Sequence, residues 1–444
     1  MHLKYTGRAL GLFVMILLSA TLVTAIGYTI NDIYGQGLLS SSNQPIINDP
    51  NLKAEVITKG LQNPTSMAFL GPNDILVLEK DQGTVQRIVN DNMLPQPVLQ
   101  TKVATEGERG MLGIAISKHP AIIHGITTIS NTTFVFLYYT ESNGSGTHLG
   151  NRVYRYEFVD NKLIDPKLIL NLPATPGPFH NGGKVLIGPD NNVYVIIGDL
   201  LYHRTMAQNV ASGGPPDLTS GIIRVTQDGK PIPHGPLGNT YPLNLYYAYG
   251  IRNSFGMGFD PVTKKLWDTE NGPNYGDEIN FVQPGFNSGW AKVQGIWTPI
   301  GAIGNENAGP VNFHPSNLVD FGGKGMYRSP EFVWLQTVAP TALKFLNSTN
   351  LGKQYQNDLF VGDYNNGYLY HFKLNQNRTE LLLGTKFSNK IANTPQDAAP
   401  FLFGSGFDGG ITDLQVGPDG FLYVLTYSGS IYRIVPNSAA DSPS

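Results

Sequence analysis

The sequence predicts an all-β protein: a six-bladed β-propeller with long loops over one face, preceded by an N-terminal hydrophobic export or anchor segment. Three observations predict it. A hairpin phrase recurs six times along the chain. The composition, with 51 Gly and 31 Pro beside 22 Tyr and 21 Phe, is that of short strands joined by turns. Charged residues make up only 14% of the 444, below the roughly 25% usual for soluble domains.

The recurring phrase is clearest at its two ends. "GPNDILVLEKDQGTVQRI" begins at Gly71 and "GPDGFLYVLTYSGSIYRI" at Gly417. Each has a turn, an alternating strand, a glycine turn and a second alternating strand ending on Arg-Ile. Looser copies lie between: "FVFLYYTES" with "NRVYRYEF", "GPDNNVYVIIGD" with "GIIRV", "FDPVTKKLWDTE" with "DEINFV", and "NDLFVGDYNNGYLYHFKL". Period-two alternation marks strands, and the Gly, Asn and Asp clusters mark turns. The copies centre near residues 76, 136, 194, 266, 360 and 422. A small sheet cannot bury both faces alone, whereas sheets stacked around a ring can. A long β-sandwich, or two separate β domains, is the other architecture the same strands could build.

The remaining segments follow from composition. Lys4 and Arg8 precede an uncharged run from Ala9 to Ile30. Residues 1–30 therefore read as a signal peptide, with "VTA" at Val23–Ala25 as a cleavage site, or as a retained anchor, since about 22 apolar residues can span a bilayer. Either makes the protein exported, secreted or anchored at the outer face of the membrane. Residues 31–53 read as a linker, 54–436 as the propeller, and 437–444 as a disordered tail. Sequons at Asn131, Asn143, Asn347 and Asn377 agree with an external location. The Gly-, Pro- and Asn-rich stretches Leu201–Gly238 and Gly295–Pro330 are expected to rise over one face and wall a cleft. A net charge of −3 gives no basis for nucleic-acid binding, and the absence of cysteine excludes disulfides, thiolate metal sites and cysteine nucleophiles.

Two segments carry candidate chemistry. In "PFHNGGKVLIGPDNNVYVIIGD", His180 precedes Gly182-Gly183, and Asp199 closes the following hairpin. Strands running out and back can bring the two together at the start of an inner strand. The carboxylate would then hold one imidazole nitrogen and raise the basicity of the other. A His–Asp pair that only staples the hairpin is the alternative. In "YAYGIRNSFGMGFDPVTKKLWDTENGPNYGDEINFVQPGFNSGW", Arg252 and Asn253 can grip an oxygen-rich ligand. "NGPNYGDEIN" is a tight turn whose carbonyls stand beside Asp277 and Glu278, donors that suit a hard cation such as Ca2+. On spacing alone, a surface turn with solvated acids is the better reading of it.

These phrases, with "NPTSMAFL", "GERGMLGIA", "VAPTALKF" and "GPDGFLYVLT", resemble the glucose/sorbosone dehydrogenase family of aldose sugar dehydrogenases, in order from about Lys53 to Val435. The resemblance implies a six-bladed propeller binding pyrroloquinoline quinone (PQQ) and Ca2+. It also implies oxidation of the aldose C1 hydroxyl to a lactone, with electrons passed to an external acceptor. It makes His180 the base, Asp199 its orienting acid, and Arg252 and Asn253 contacts to the quinone oxygens. The carbonyls of Gly272 and Pro273 become Ca2+ ligands, with Asp277 beside them. The chain also departs from the family. Gly410 and Thr412 stand where the family has the two arginines that pair with the quinone carboxylates. Asp363, Tyr364 and Asn365 stand where it has a lysine. Burying the cofactor's three carboxylates without cations is costly. Lys80, Lys184 and Arg109 are the candidates to compensate. A cell-surface sugar- or protein-binding propeller that has lost the cofactor is the alternative, and a Ca2+-dependent lactonase on the same scaffold is a third.

Overall fold

The computed structural model describes residues 44–437, apart from 124–125, 202–203 and 297–316, and leaves the side chains of 119–131 undescribed. The proposed export segment and the tail beyond Asn437 lie outside the described residues. No helix among the described residues is long and apolar enough to cross a membrane.

The described strands form six sheets, mostly antiparallel. Numbered in the chain order of their innermost strands, these are Pro64–Gly71 in sheet I, Met111–Ile123 in II, Val185–Ile187 in III, Gly256–Phe259 in IV, Pro340–Phe345 in V and Ile411–Val416 in VI. The six recurrent phrases fall on the second strand of each: Asp74–Glu79, Ile126–Ser142, Val193–Ile197, Leu266–Glu270, Leu359–Asp363 and Leu422–Thr426. The five of these strands other than Ile126–Ser142 are almost wholly buried, as expected where a sheet is covered on both faces.

Six apolar clusters hold neighbouring sheets together, one at each junction. Leu76 and Leu78 of sheet I meet Ile114 and Val135 of II. Phe136 of II meets Val195 of III, and Tyr194 of III meets Met257 and Leu266 of IV. Trp267 of IV meets Leu343 and Phe345 of V. Phe360 of V meets Leu414 of VI, and Leu425 of VI meets Met67 of I. The last contact closes the ring, and the architecture is an all-β propeller. Trp267 is fully buried, and truncating such a side chain to alanine typically costs about 3–5 kcal/mol.

The chain's first strands complete its last sheets. Leu52–Thr58 pairs antiparallel with Ile431–Pro436 in sheet VI, and Ile46–Ile47 pairs with Leu402–Ser405 in sheet V. Both strands overlap residues 31–53, the stretch read as a linker. Its polar composition hides the alternation of so short a segment. Joining the two ends of the chain in one sheet resists opening of the ring, because sheet VI cannot be completed without both.

Candidate active site

Loops at one end of all six sheets surround a cavity of about 500 Å3. His180 lines it from the loop that precedes the inner strand of sheet III, so it stands five residues before Val185 rather than at the strand's first position. Its backbone is left-handed, at φ 62°. Two glycines make that course possible. A Cβ at Gly182 would lie 2.7 Å from the Ile196 carbonyl oxygen, and one at Gly183 would lie 2.6 Å from Leu112 Cβ.

His180 Nδ1 lies 2.5 Å from Asp199 Oδ1, and Asp199 is completely buried. The carboxylate also accepts bonds from Leu201 N–H at 3.1 Å and Trp290 Nε1–H at 2.7 Å. An oxygen that already accepts from neighbouring N–H donors leaves the imidazole to donate through Nδ1. Nε2 is then the nitrogen that carries the lone pair. The segment after Leu201 supports this couple from behind. Gln208 O accepts from Ala291 N–H, and Asn209 Nδ2 donates to the Trp290 carbonyl at 2.8 Å. None of the described residues of Leu201–Gly238 or Gly295–Pro330 lines the cavity. The described part of the first stretch buttresses the site instead of walling it.

Glu108 joins the wall from the turn before sheet II. Its carboxylate accepts from His180 N–H at 2.6 Å, from Asn181 N–H at 3.2 Å and from Asn253 Nδ2 at 3.1 Å. Burial pushes this carboxyl above its usual range, against the opposing pull of His180 and these bonds. The Asn253 amide is thereby committed to the wall: its Oδ1 also accepts from Gly182 N–H at 3.3 Å. Sequence reading passed over Glu108 and Trp290 as functional residues. Their signal lay in "GERGMLGIA" and "SGW", phrases that gave family resemblance without a role.

Arg252 Nη1 donates to the carbonyls of Asn271 and Gly272, each at 2.9 Å, and the guanidinium lies 5.5 Å from the Trp290 ring centre. Gly272 and Pro273 line the cavity beside it. Asp277 accepts from three backbone N–H groups, those of Gly272, Val338 and Ala339, at 2.7–2.8 Å. Burial nevertheless pushes its carboxyl up to about 6. The expectation of a surface turn with solvated acids is overturned, because Asp277 and Glu278 are 0% and 1% exposed. Both belong to a strand that lies between two others of sheet IV.

The opposite wall is different. Tyr364, Asn365, Thr412 and Tyr427 line it, and the two tyrosine rings pack edge to face at 5.5 Å. Asp363 turns away into its sheet, where its carboxylate accepts from Asn366, Tyr368 N–H and Tyr370. Lys80 and Lys184 line the cavity. Arg109 does not. Its guanidinium donates to the carbonyls of Ala174 and Gly177, anchoring the loop that carries His180.

The glucose/sorbosone dehydrogenase profile matches residues 61–433. The chain belongs to that family. It is 29% identical over 415 residues to the uncharacterized protein slr1608 of Synechocystis sp., covering 87% of each chain. It is 24% identical over 396 residues to the Escherichia coli aldose sugar dehydrogenase YliI, covering 87% of this chain and 94% of that protein. The PQQ-bound aldose sugar dehydrogenase of Streptomyces coelicolor shares the fold, with a TM-score of 0.60 at 21% identity, covering 88% of this chain and all of that one.

Proposed function

We propose that this protein is an exported quinoprotein that oxidises the C1 hydroxyl of an aldose to a lactone, and that its six sheets are the six blades of that family's propeller. The observation that carries the reading is the His180–Asp199 couple on the wall of a cavity large enough for a cofactor and a sugar. The basic flank and apolar run at residues 4–30 support export.

The residues present fit PQQ at the reacting end. Arg252 Nε and Asn271 Oδ1 belong to lining residues, are buried, and have no hydrogen-bond partner among the described residues. Buried polar atoms rarely stay so, and a planar ligand rich in oxygen and nitrogen would satisfy them. The carbonyls of Gly272 and Pro273 would be the residues to hold Ca2+; the Gly272 oxygen already accepts from Arg252 Nη1, which leaves it one lone pair for an ion. Among the described residues no group of three His, Cys, Asp or Glu is arranged to hold a metal. When bound, the quinone supplies a two-electron acceptor for hydride.

The chain's own residues do the rest. His180 Nε2 takes the hydroxyl proton, which raises the hydride-donating power of the C1–H bond. Asp199 fixes the tautomer and stabilises the imidazolium that forms. Arg252 offers positive charge where negative charge would build on a bound acceptor. A second reading, a sugar- or protein-binding propeller without the cofactor, is favoured by the uncharged wall of Tyr364, Asn365, Thr412 and Tyr427.

Dye reduction by the purified protein with PQQ, Ca2+ and a panel of aldoses separates the two readings. Turnover is expected, and His180→Asn should lower it by about 1,000-fold with cofactor affinity little changed. Asparagine is chosen because it tolerates the left-handed backbone at 180. Failure to bind PQQ at micromolar concentration would leave only the binding propeller.

A further inference from the structure

The cations of this cavity are not equally available. Arg252 keeps its Nε open, but two carbonyls on Nη1 fix it at the reacting end of the cavity. Lys184 is buried and 2.5 Å from Asp413. Asp413 also accepts from Ser66 Oγ and Met67 N–H, so this pair ties sheet VI to sheet I and is part of the ring's closure. Lys80 is buried as well, at 9% exposure, but its ion-pair partner reaches solvent. Its ammonium lies 2.8 Å from Asp81, whose side chain is 33% exposed. Asp81 can turn to water when the ammonium is shared with a ligand, so sharing leaves no carboxylate buried and unpaired. Its stem is nevertheless well placed, lying against Gly110, where a Cβ would come within 2.5 Å of Lys80 Cγ.

Lys80 follows the second strand of sheet I, the sheet that packs against sheet VI, and it lines the same cavity as Thr412 and Tyr427. The Asp81 carboxylate that holds it is near enough to the Tyr427 phenol to help push it up to about 12, behind the larger effect of burial. Tyr427 belongs to the wall where the family's arginines are missing. Of those two positions, one is closed: Gly410 has φ 84°, and a Cβ there would overlap the Tyr364 carbonyl oxygen. The other, Thr412, faces the cavity.

We infer that Lys80 is the cation that holds a carboxylate of the bound cofactor against the wall formed by Thr412 and Tyr427, replacing two guanidinium groups by one ammonium and hydroxyls. The ligand's identity rests on the proposed function, while the role of Lys80 is this chain's own. One consequence is weaker binding than two guanidinium groups would give, since an ammonium lacks their bidentate grip on a carboxylate.

The test is equilibrium binding of PQQ in the presence of Ca2+, followed by quenching of tryptophan fluorescence at several salt concentrations, with no substrate present. Lys80→Met should weaken binding by about tenfold or more, the weight of one charge-assisted hydrogen bond, and flatten the salt dependence. Lys80→Arg should stay within about threefold of the native protein. Asp81→Asn, a half-exposed change that releases the ammonium, should tighten binding by about threefold. Thr412→Arg should tighten it and rescue Lys80→Met. If the native protein binds PQQ and Lys80→Met binds it equally well, the role of Lys80 is overturned and the dehydrogenase reading stands. If the native protein does not bind PQQ, the dehydrogenase reading falls, and the role of Lys80 falls with it.

Discussion

The two walls of the cavity are built on different terms. The wall from sheets II to IV carries His180, Glu108, Arg252 and Asn253, with Asp199 buried behind His180, and its polar atoms are largely tied to one another, Arg252 Nε and Asn271 Oδ1 excepted. The wall from sheets V and VI carries Tyr364, Asn365, Thr412 and Tyr427, with no charge among them. The first wall is fixed by what the proposed reaction needs: a base in one tautomer and a cation at one place. The second needs only to hold the far end of a ligand, and many residues can do that. A chain can therefore change its second wall extensively while the first keeps its geometry.

The largest effect should come from breaking the first wall at its least exposed member. Asp199→Asn keeps the shape but puts an amide N–H against a donor, either Trp290, Leu201 or His180 Nδ1. The imidazole is then free to hold the wrong tautomer. Turnover should fall by about 100-fold to 10,000-fold, while the affinity for PQQ changes little. An equal loss of both would mean that Asp199 supports only the loop. The second wall breaks at a glycine. Gly410 lies on the Tyr364 backbone and accepts a bond from Tyr427 N–H, so it sets both tyrosines at once. Gly410→Ala forces a side chain onto a left-handed backbone with no space for it. A loss of about 2–4 kcal/mol is expected in urea unfolding. A neutral result would show that this wall is soft enough to move.

How much of this was legible in the sequence differs in the same way. The second strand of every sheet was visible, because a strand buried on both faces and bounded by Gly and Asp turns has a strong local pattern. The His180–Asp199 pairing was legible too, because both residues lie in one hairpin and the glycines between them serve a backbone course that little else allows. Glu108 was not, since it reaches His180 from another sheet, 72 residues away in the chain. The burial of Asp277 and Glu278 was hidden for a similar reason. Their turn reads as polar, and it is the packing of Val338 and Ala339 over Asp277, and of Gln294 and Gly295 over Glu278, that removes the water. The strands at Ile46–Ile47 and Leu52–Thr58 were obscured because their partners stand at the other end of the chain.

The seam between the walls gives the smallest effect and the sharpest one. Asp277 receives Gly272 from one wall and Val338 and Ala339 from the other; Ala339 and Val338 in turn accept from Tyr364 and Asn365 N–H. Its carboxyl holds its proton to about 6 in the folded protein, whereas the ordinary value is 3.8. Burial is the cause, only partly offset by the three N–H groups and Arg252. Between those two values the folded chain binds a proton that the unfolded chain has lost. This contribution therefore destabilises progressively as pH rises from about 4 to about 6, and is constant above. Asp277→Asn removes the titration but leaves one oxygen to serve three donors, a fixed cost of about 1–2 kcal/mol. The variant should be the less stable protein at pH 4, with the gap narrowing by on the order of 2 kcal/mol by pH 7. Urea midpoints of both proteins across that range are the measurement. A gap that stays constant would mean that Asp277 is ionised throughout, held so by the seam's N–H groups, and that the two walls are joined more strongly than burial alone suggests.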